Sequence, residues 1–274
     1  DGVRMRHRVR GCLAAIAVLW LAACTAPPTL DLPPRPAGAP TGSEFARSIE
    51  LLDLDARDAR IVDEVLSGNV PDWLRRLSPV AIGEGEERVE FWVTPDYLAV
   101  GSASDYLLAP MTPMAAQRIA DRLGRSLPTP LMVDAIWAAA DVKLTPAPIP
   151  PGPEMTTVPV FVAHSDSVRA QRGSLPVDAL TAGHKKDVVL SPDLGANPGR
   201  VAIYGWHELD GEPIQPLYLG HTERWVDYSH GIRLVDGTIR LSGRPMDLGA
   251  LLQDPTLARL LSREGPYPAP PRYE

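Results

Sequence analysis

Apolar positions recur along this chain with two periods, helical in the first half and mostly alternating in the second. Over residues 44–77, Ile49 and Leu52, then Ile61, Val65 and Leu66, fall at the three- and four-residue steps of helix faces, and Pro71 opens a short turn carrying Trp73, Leu74 and Leu77. Over residues 80–108 the period shortens to two. Val89, Phe91 and Val93 alternate with polar neighbours, and Tyr97, Leu98, Val100 and residues 106–108 lie between the turn pairs Pro95-Asp96 and Gly101-Ser102, which predicts a small antiparallel meander. Thr112-Pro113 and Thr129-Pro130 each set a hydroxyl N-cap before a proline whose missing N–H is not needed at the first helical position. The first of these helices is predicted to run to Leu123 and stop at Gly124, and the second to bury Val133, Ile136, Trp137 and Ala140. A further helix over residues 160–172 puts Val160, His164 and Val168 on one face.

The second half reads mostly as strands, at residues 188–190, 201–204, 216–219, 225–228, 232–235 and 238–241. Asn197-Pro198-Gly199, Asp210-Gly211 and Asp236-Gly237 separate them, the last placed as a hairpin turn. A terminal helix is predicted over residues 248–261. The fold class is α+β, with an antiparallel, β-rich C-terminal half and helices segregated in the N-terminal half. Residues 44–265 are expected to form one domain, since the segments on either side of the proline run at 145–159 are short for independent folding. That run is read as a rigid strap.

Composition changes the picture at the two ends. Thirty prolines in 274 residues is about twice the usual frequency of roughly 5%. They gather in the strap, in residues 24–43, read as a polyproline-like tether, and in a tail at residues 266–274. Residues 1–23 predict a signal peptide, with Arg6, Arg8 and Arg10 ahead of a short apolar run that ends in Leu21-Ala22-Ala23-Cys24. This run resembles a bacterial lipobox, which implies cleavage before Cys24 and its acylation. With Cys12 removed and Cys24 lipidated, no thiol or disulfide is left for the folded part. Loss of Asp1 and four arginines with the leader moves the net charge from −7 to −10, which argues against nucleic acid as a partner. The membrane partner is then reached through the lipid, on the periplasmic or outer face. Thr25 lacks the aspartate of an inner-membrane retention signal, so the outer membrane is expected in a double-membraned cell.

Candidate chemistry concentrates in residues 183–234, which hold His184, His207, His221 and His230 among Lys185, Lys186, Asp187, Tyr204, Trp206, Trp225, Asp227, Tyr228, Ser229 and Arg233. Several arrangements fit. Ser229 could act as a nucleophile with His207 or His221 as base and Asp227 or Asp187 orienting it, although no Gly-x-Ser-x-Gly elbow occurs. A zinc ion could take three ligands from the four histidines with Asp187, Asp227 or Asp236. A cleft could bind a glycan or peptide without chemistry, with Tyr204, Trp206, Tyr218 and Trp225 as stacking platforms and Lys185, Lys186 and Arg233 on carboxylates. The histidines could also be purely structural.

Ser229-His230-Gly231-Ile232-Arg233-Leu234 resembles the Ser-His-Gly-Cys-Ile/Val-Arg signature of L,D-transpeptidases of the bacterial cell wall, a family with an upstream strand histidine that His207 in Tyr204-Gly205-Trp206-His207 would match. The nucleophilic cysteine of that signature is missing between Gly231 and Ile232, and the match covers about six residues. Longer stretches, including Gly183-His184-Lys185-Lys186-Asp187, are similar to a group of secreted bacterial proteins that carry no assigned activity. The resemblance implies a cell-wall setting. The expectation is a lipid-anchored envelope hydrolase or transferase acting on peptidoglycan or a related glycan. His207 or His230 serves as general acid/base, Asp227 as its orienter and Ser229 as nucleophile. His184, Lys185, Lys186, Tyr204, Trp206, His221 and Arg233 contact substrate. The alternative is a non-catalytic envelope-binding or structural lipoprotein.

Overall fold

The structure, a computed structural model, describes Gly2 and residues 27–274; apart from Gly2, the expected signal peptide and Cys24 lie outside the described residues. Among the described residues no helix is long and apolar enough to cross a membrane. The helices are α1 (Gly42–Ile49), α2 (Leu54–Leu66), α3 (Pro113–Arg122), α4 (Pro130–Ala139), α5 (Val158–Arg172) and α6 (Leu248–Gln253). The two Thr-Pro starts behave as their chemistry dictates, Thr112 accepting the Ala115 amide at 3.2 Å and Thr129 the Met132 amide at 3.2 Å. Gly124 follows α3 at φ 61°, the left-handed position a helix end favours. α6 is shorter than the pattern predicts. Asp254 precedes Pro255, is extended, and accepts the amides of Thr256 and Leu257, so the chain leaves the helix there and resumes as a single 3-10 turn, Ala258–Leu260.

The strands in chain order are β1 (Ser78–Ile82), β2 (Val89–Val93), β3 (Ala99–Gly101), β4 (Tyr106–Leu108), β5 (Arg125–Ser126), β6 (Val142–Lys143), β7 (Thr181–Ala182), β8 (Lys186–Val189), β9 (Ala202–His207), β10 (Pro213–Tyr218), β11 (His230–Gly231), β12 (Val235–Asp236), β13 (Thr238–Leu241) and β14 (Arg244–Asp247). The expected α+β architecture is present, with five of six helices before residue 173 and antiparallel strands dominating the second half. β2 is central to the first sheet, flanked on one side by β1 and on the other by β12 and β13. The second sheet runs β10-β9-β8-β11, antiparallel except that β11 lies parallel to β8. Three expectations fail locally. Asp236-Gly237 is not a hairpin: β12 and β13 both run antiparallel to β2, so the dipeptide is an irregularity within one edge, and the hairpin turn is Ser242-Gly243, whose φ values of 50° and 78° give the twist that joins β13 to β14. Residues 225–228 form no strand, and of the strand expected at 232–235 only Val235 is in one, the first residue of β12.

The proline-rich ends are parts of the domain. From residue 27 the expected tether lies on the protein: the Leu30 amide donates to Arg75 O (2.7 Å), the Leu77 amide to Pro28 O (2.9 Å), and Arg35 bonds Asn69 Oδ1 (2.8 Å). The expected tail buries Tyr267 and Tyr273. The Tyr273 hydroxyl donates to Val189 O (2.6 Å) and accepts from the Ala202 amide (3.0 Å), tying β8 to β9. Tyr273→Phe strands both buried groups and should cost about 2 kcal/mol, read as a lower urea midpoint at unchanged slope. The strap crosses the surface as expected. The Ile149 amide donates to the Tyr228 hydroxyl (2.8 Å) and the Tyr228 amide to Met155 O (2.9 Å), so the strap fixes the turn that follows Trp225.

Candidate functional site

Three of the four histidines that the sequence grouped into one site belong to three different carboxylates. β9 is the reason for the first divergence. Gly205 and Trp206 both have positive φ, 100° and 59°, which breaks the alternation of the strand and swings His207 onto α4. There its Nε2 lies 2.9 Å from Asp134 Oδ1, which also accepts the Tyr204 hydroxyl at 2.8 Å, while Arg263 pairs with the other oxygen. Trp137 stacks on the imidazole at 5.7 Å. Asp134, not Asp227, is therefore the orienter of His207. Burial pushes the Asp134 carboxyl up, but the bonds from His207, Arg263 and Tyr204 outweigh it and hold it below the usual range.

Asp227, Ser229 and His230 do meet, in the turn before β11. Asp227 Oδ1 accepts both the amide (2.8 Å) and the hydroxyl (2.5 Å) of Ser229, and Oδ2 accepts the Trp225 indole N–H (3.1 Å). His230 Nε2 lies 3.8 Å from Oδ2. Burial raises the Asp227 carboxyl, but His230, the Ser229 bonds and Lys186 bring it down to about 2, so it is ionised. Burial drives His230 down to about 4, so the imidazole is neutral at pH 7. The Ser229 proton points at a carboxylate already saturated by local donors, and the side chain is completely buried, so no histidine is placed to take that proton. Both ring nitrogens of His230 are buried without a hydrogen-bond partner.

The third group centres on Asp96, which sequence reasoning passed over. Arg172 pairs with its Oδ2, and His184 Nε2 lies 3.1 Å from Oδ1, close enough for an ion pair but off the hydrogen-bond direction. Arg233, expected on substrate carboxylates, instead donates to Thr94 O (2.9 Å) and Thr181 O (2.7 Å) and lies over the Tyr97 ring at 4.2 Å. The Tyr97 hydroxyl donates to Asp187 Oδ2 at 2.7 Å. Lys185 is also turned inward, donating to Tyr228 O (2.6 Å) beside His164 Nδ1 (3.5 Å). The expected substrate anchors His184, Lys185 and Arg233 are thus core groups. A glycine is required at Gly231, where a Cβ would stand 2.5 Å from the Tyr97 ring.

What faces outward is aromatic. Tyr218 (43% exposed) meets His221 edge-on at 5.2 Å, and His221 stacks on Trp225 at 4.9 Å with 14° between planes. The indole bond to Asp227 fixes this row of rings in place. Burial holds the His221 imidazole below its ordinary value, against the pull of Asp227. Trp206, expected as a platform, is buried, with the Lys186 ammonium over its ring at 5.0 Å; Tyr204 is half-buried and committed to Asp134. The zinc arrangement is divided by the same geometry: among the described residues no three His, Cys, Asp or Glu side chains converge to hold a metal ion. No family model, no curated protein and no solved structure matches this chain.

Proposed function

We propose that this is a lipid-anchored cell-envelope protein that holds a cell-wall glycan on the Tyr218–His221–Trp225 row without acting on it chemically. The observation that carries the reading is that row: three half-exposed rings in contact, the last one bonded to a buried, ionised aspartate. Pyranose C–H faces stack on such rings, and a ring already fixed by its own N–H loses little freedom on binding. The committed Ser229 proton and the buried His230 favour binding over catalysis at this place. The lipobox-like leader supplies the setting.

Sedimentation with purified peptidoglycan sacculi tests it. The full chain carrying Cys24→Ser is expected to pellet, and Trp225→Ala to lower the apparent affinity about tenfold, near the 1.4 kcal/mol that one stacking ring contributes. A chain that stays in the supernatant, or a Trp225→Ala protein that pellets unchanged, overturns the reading. One observation favours hydrolysis instead: His207 is held at 2.9 Å by Asp134, an orienting carboxylate of the kind a general base uses. New muropeptides on mass spectrometry, lost in His207→Ala, would put that reading first.

A further inference from the structure

A cavity of about 230 Å³ opens between α2, the start of α3 and the turn at residues 222–225, walled by Asp55, Asp58, Thr112, Arg118, Glu223 and Arg224. Its deepest charge is Asp58, only 8% exposed. Asp58 Oδ2 is taken by the Thr112 amide (3.2 Å) and hydroxyl (2.5 Å), which cap α3, while Oδ1 is buried with no hydrogen-bond partner. The neighbouring cation does not supply one. Arg57 Nη1 donates to Thr156 O (3.1 Å) and its guanidinium lies over the Phe161 ring at 5.0 Å. A carboxylate oxygen left in this state calls for a cationic donor from outside the chain. Burial raises the Asp58 carboxyl against the two Thr112 bonds and the charge of Arg57.

The wall carries the opposite charge as well. Arg118 is exposed and forms no ion pair among the described residues, and Arg224 is held only by Asp55 at 2.9 Å, a pair in which both side chains are more than half exposed and which therefore contributes little. A bare cation would answer Asp58 and leave Arg118 unmatched; an anion would do the reverse. We propose that this cavity binds the zwitterionic centre of an amino acid, free or at the end of a peptide's side chain, its ammonium group on Asp58 and Glu223 and its carboxylate on Arg118 and Arg224. The assignment stands on the cavity alone. Its link to the envelope rests on the glycan reading: Glu223 and Arg224 lie in the chain between His221 and Trp225, so a glycan stacked on the ring row would present a peptide branch to this cavity.

Isothermal titration of the full chain carrying Cys24→Ser with D-alanine, L-alanine, methylamine and acetate is the test. Saturable binding of at least one alanine enantiomer is expected, at least tenfold tighter than methylamine or acetate, and weakened about tenfold in Arg118→Met and in Glu223→Gln, surface changes that leave the α3 cap intact. Asp58→Asn should weaken it further, with circular dichroism checking that the protein remains folded. No binding of either alanine, or binding unchanged in Arg118→Met and Glu223→Gln, overturns the site. Methylamine binding as tightly as alanine overturns the carboxylate half. Sacculus sedimentation of the same preparations separates the two readings: pelleting without alanine binding defeats only the cavity, and alanine binding without pelleting defeats only the glycan row.

Discussion

Replacing Asp96 by Asn is expected to remove about 3–5 kcal/mol of folding stability, the largest effect of any single substitution outside the apolar core. The side chain is completely buried, accepts the Tyr97 amide at 2.7 Å, pairs with Arg172 and lies 3.1 Å from His184 Nε2. Arg172 and Arg233 are also buried, and without Asp96 the carboxylate left beside Arg233 is Asp187, 3.6 Å away, which burial has itself raised to about 6. The amide of asparagine keeps the shape and drops the charge, so the loss measures uncompensated guanidinium and not a cavity. Burial alone would raise Asp96, but His184, Arg172 and Arg233 reverse it to about 2. A folded-state value below the unfolded 3.8 stabilises above pH 4, and this contribution disappears as the pH falls from about 4 to 2. Asp187 works the other way, since its raised value lets the folded state keep its proton between about pH 4 and 6. Urea unfolding from pH 2 to 7 reads both. The Asp96→Asn protein should lose the steep acid limb of the wild type; a difference under about 1 kcal/mol at pH 7 would mean that water enters the cluster and screens it.

The sequence announced what local chemistry decides and hid what depends on partners far along the chain. The two Thr-Pro helix starts and the alternation of β2 were legible because each depends on a few adjacent residues. The early end of α6 was equally local: Asp254 before Pro255 is a stop signal, outweighed in the pattern by the apolar residues beyond it. The proline-rich ends misled for a different reason. Prolines remove backbone donors, and that composition reads as a tether, yet Leu30, Tyr267 and Tyr273 sit among them and find buried places only the folded domain provides. In the site, the alternation of residues 225–228 read as a strand, whereas Asp227 and Ser229 close a local side-chain-to-backbone turn. The partners of His207 and His184 were not legible, because Asp134 and Asp96 lie more than 70 residues away in sequence. Nor does any residue type announce positive φ at Trp206, the step that carries His207 away from Asp227. The clustering of titratable residues was real, but most of them build a buried ionic core beneath the aromatic row.

Lys185 shows what that core implies for behaviour in solution. Its ammonium is almost fully buried against Tyr228 O and His164 Nδ1, and burial, only partly offset by Asp227 and Asp96, drives it down from 10.5 to about 7. The folded state therefore releases this proton before the unfolded chain does. Between about pH 7 and pH 10 the unfolded chain holds more protons, so stability should rise with pH by up to about 1.4 kcal/mol per unit, an upward slope of about 4 kcal/mol in all. Lys185→Met removes the titrating group while keeping an unbranched apolar stem. Chemical denaturation at pH 7, 8, 9 and 10 should show the slope in the wild type and a much flatter profile in the variant, with the variant closest to or above the wild type at pH 7, where the lost bond to Tyr228 O is set against relief of the buried charge. Parallel slopes in the two proteins would place the ammonium in contact with water. A flattened slope would establish that the Tyr228 turn, which follows Trp225 and is pinned from outside by the strap, is held from inside by an amine that changes charge near neutral pH.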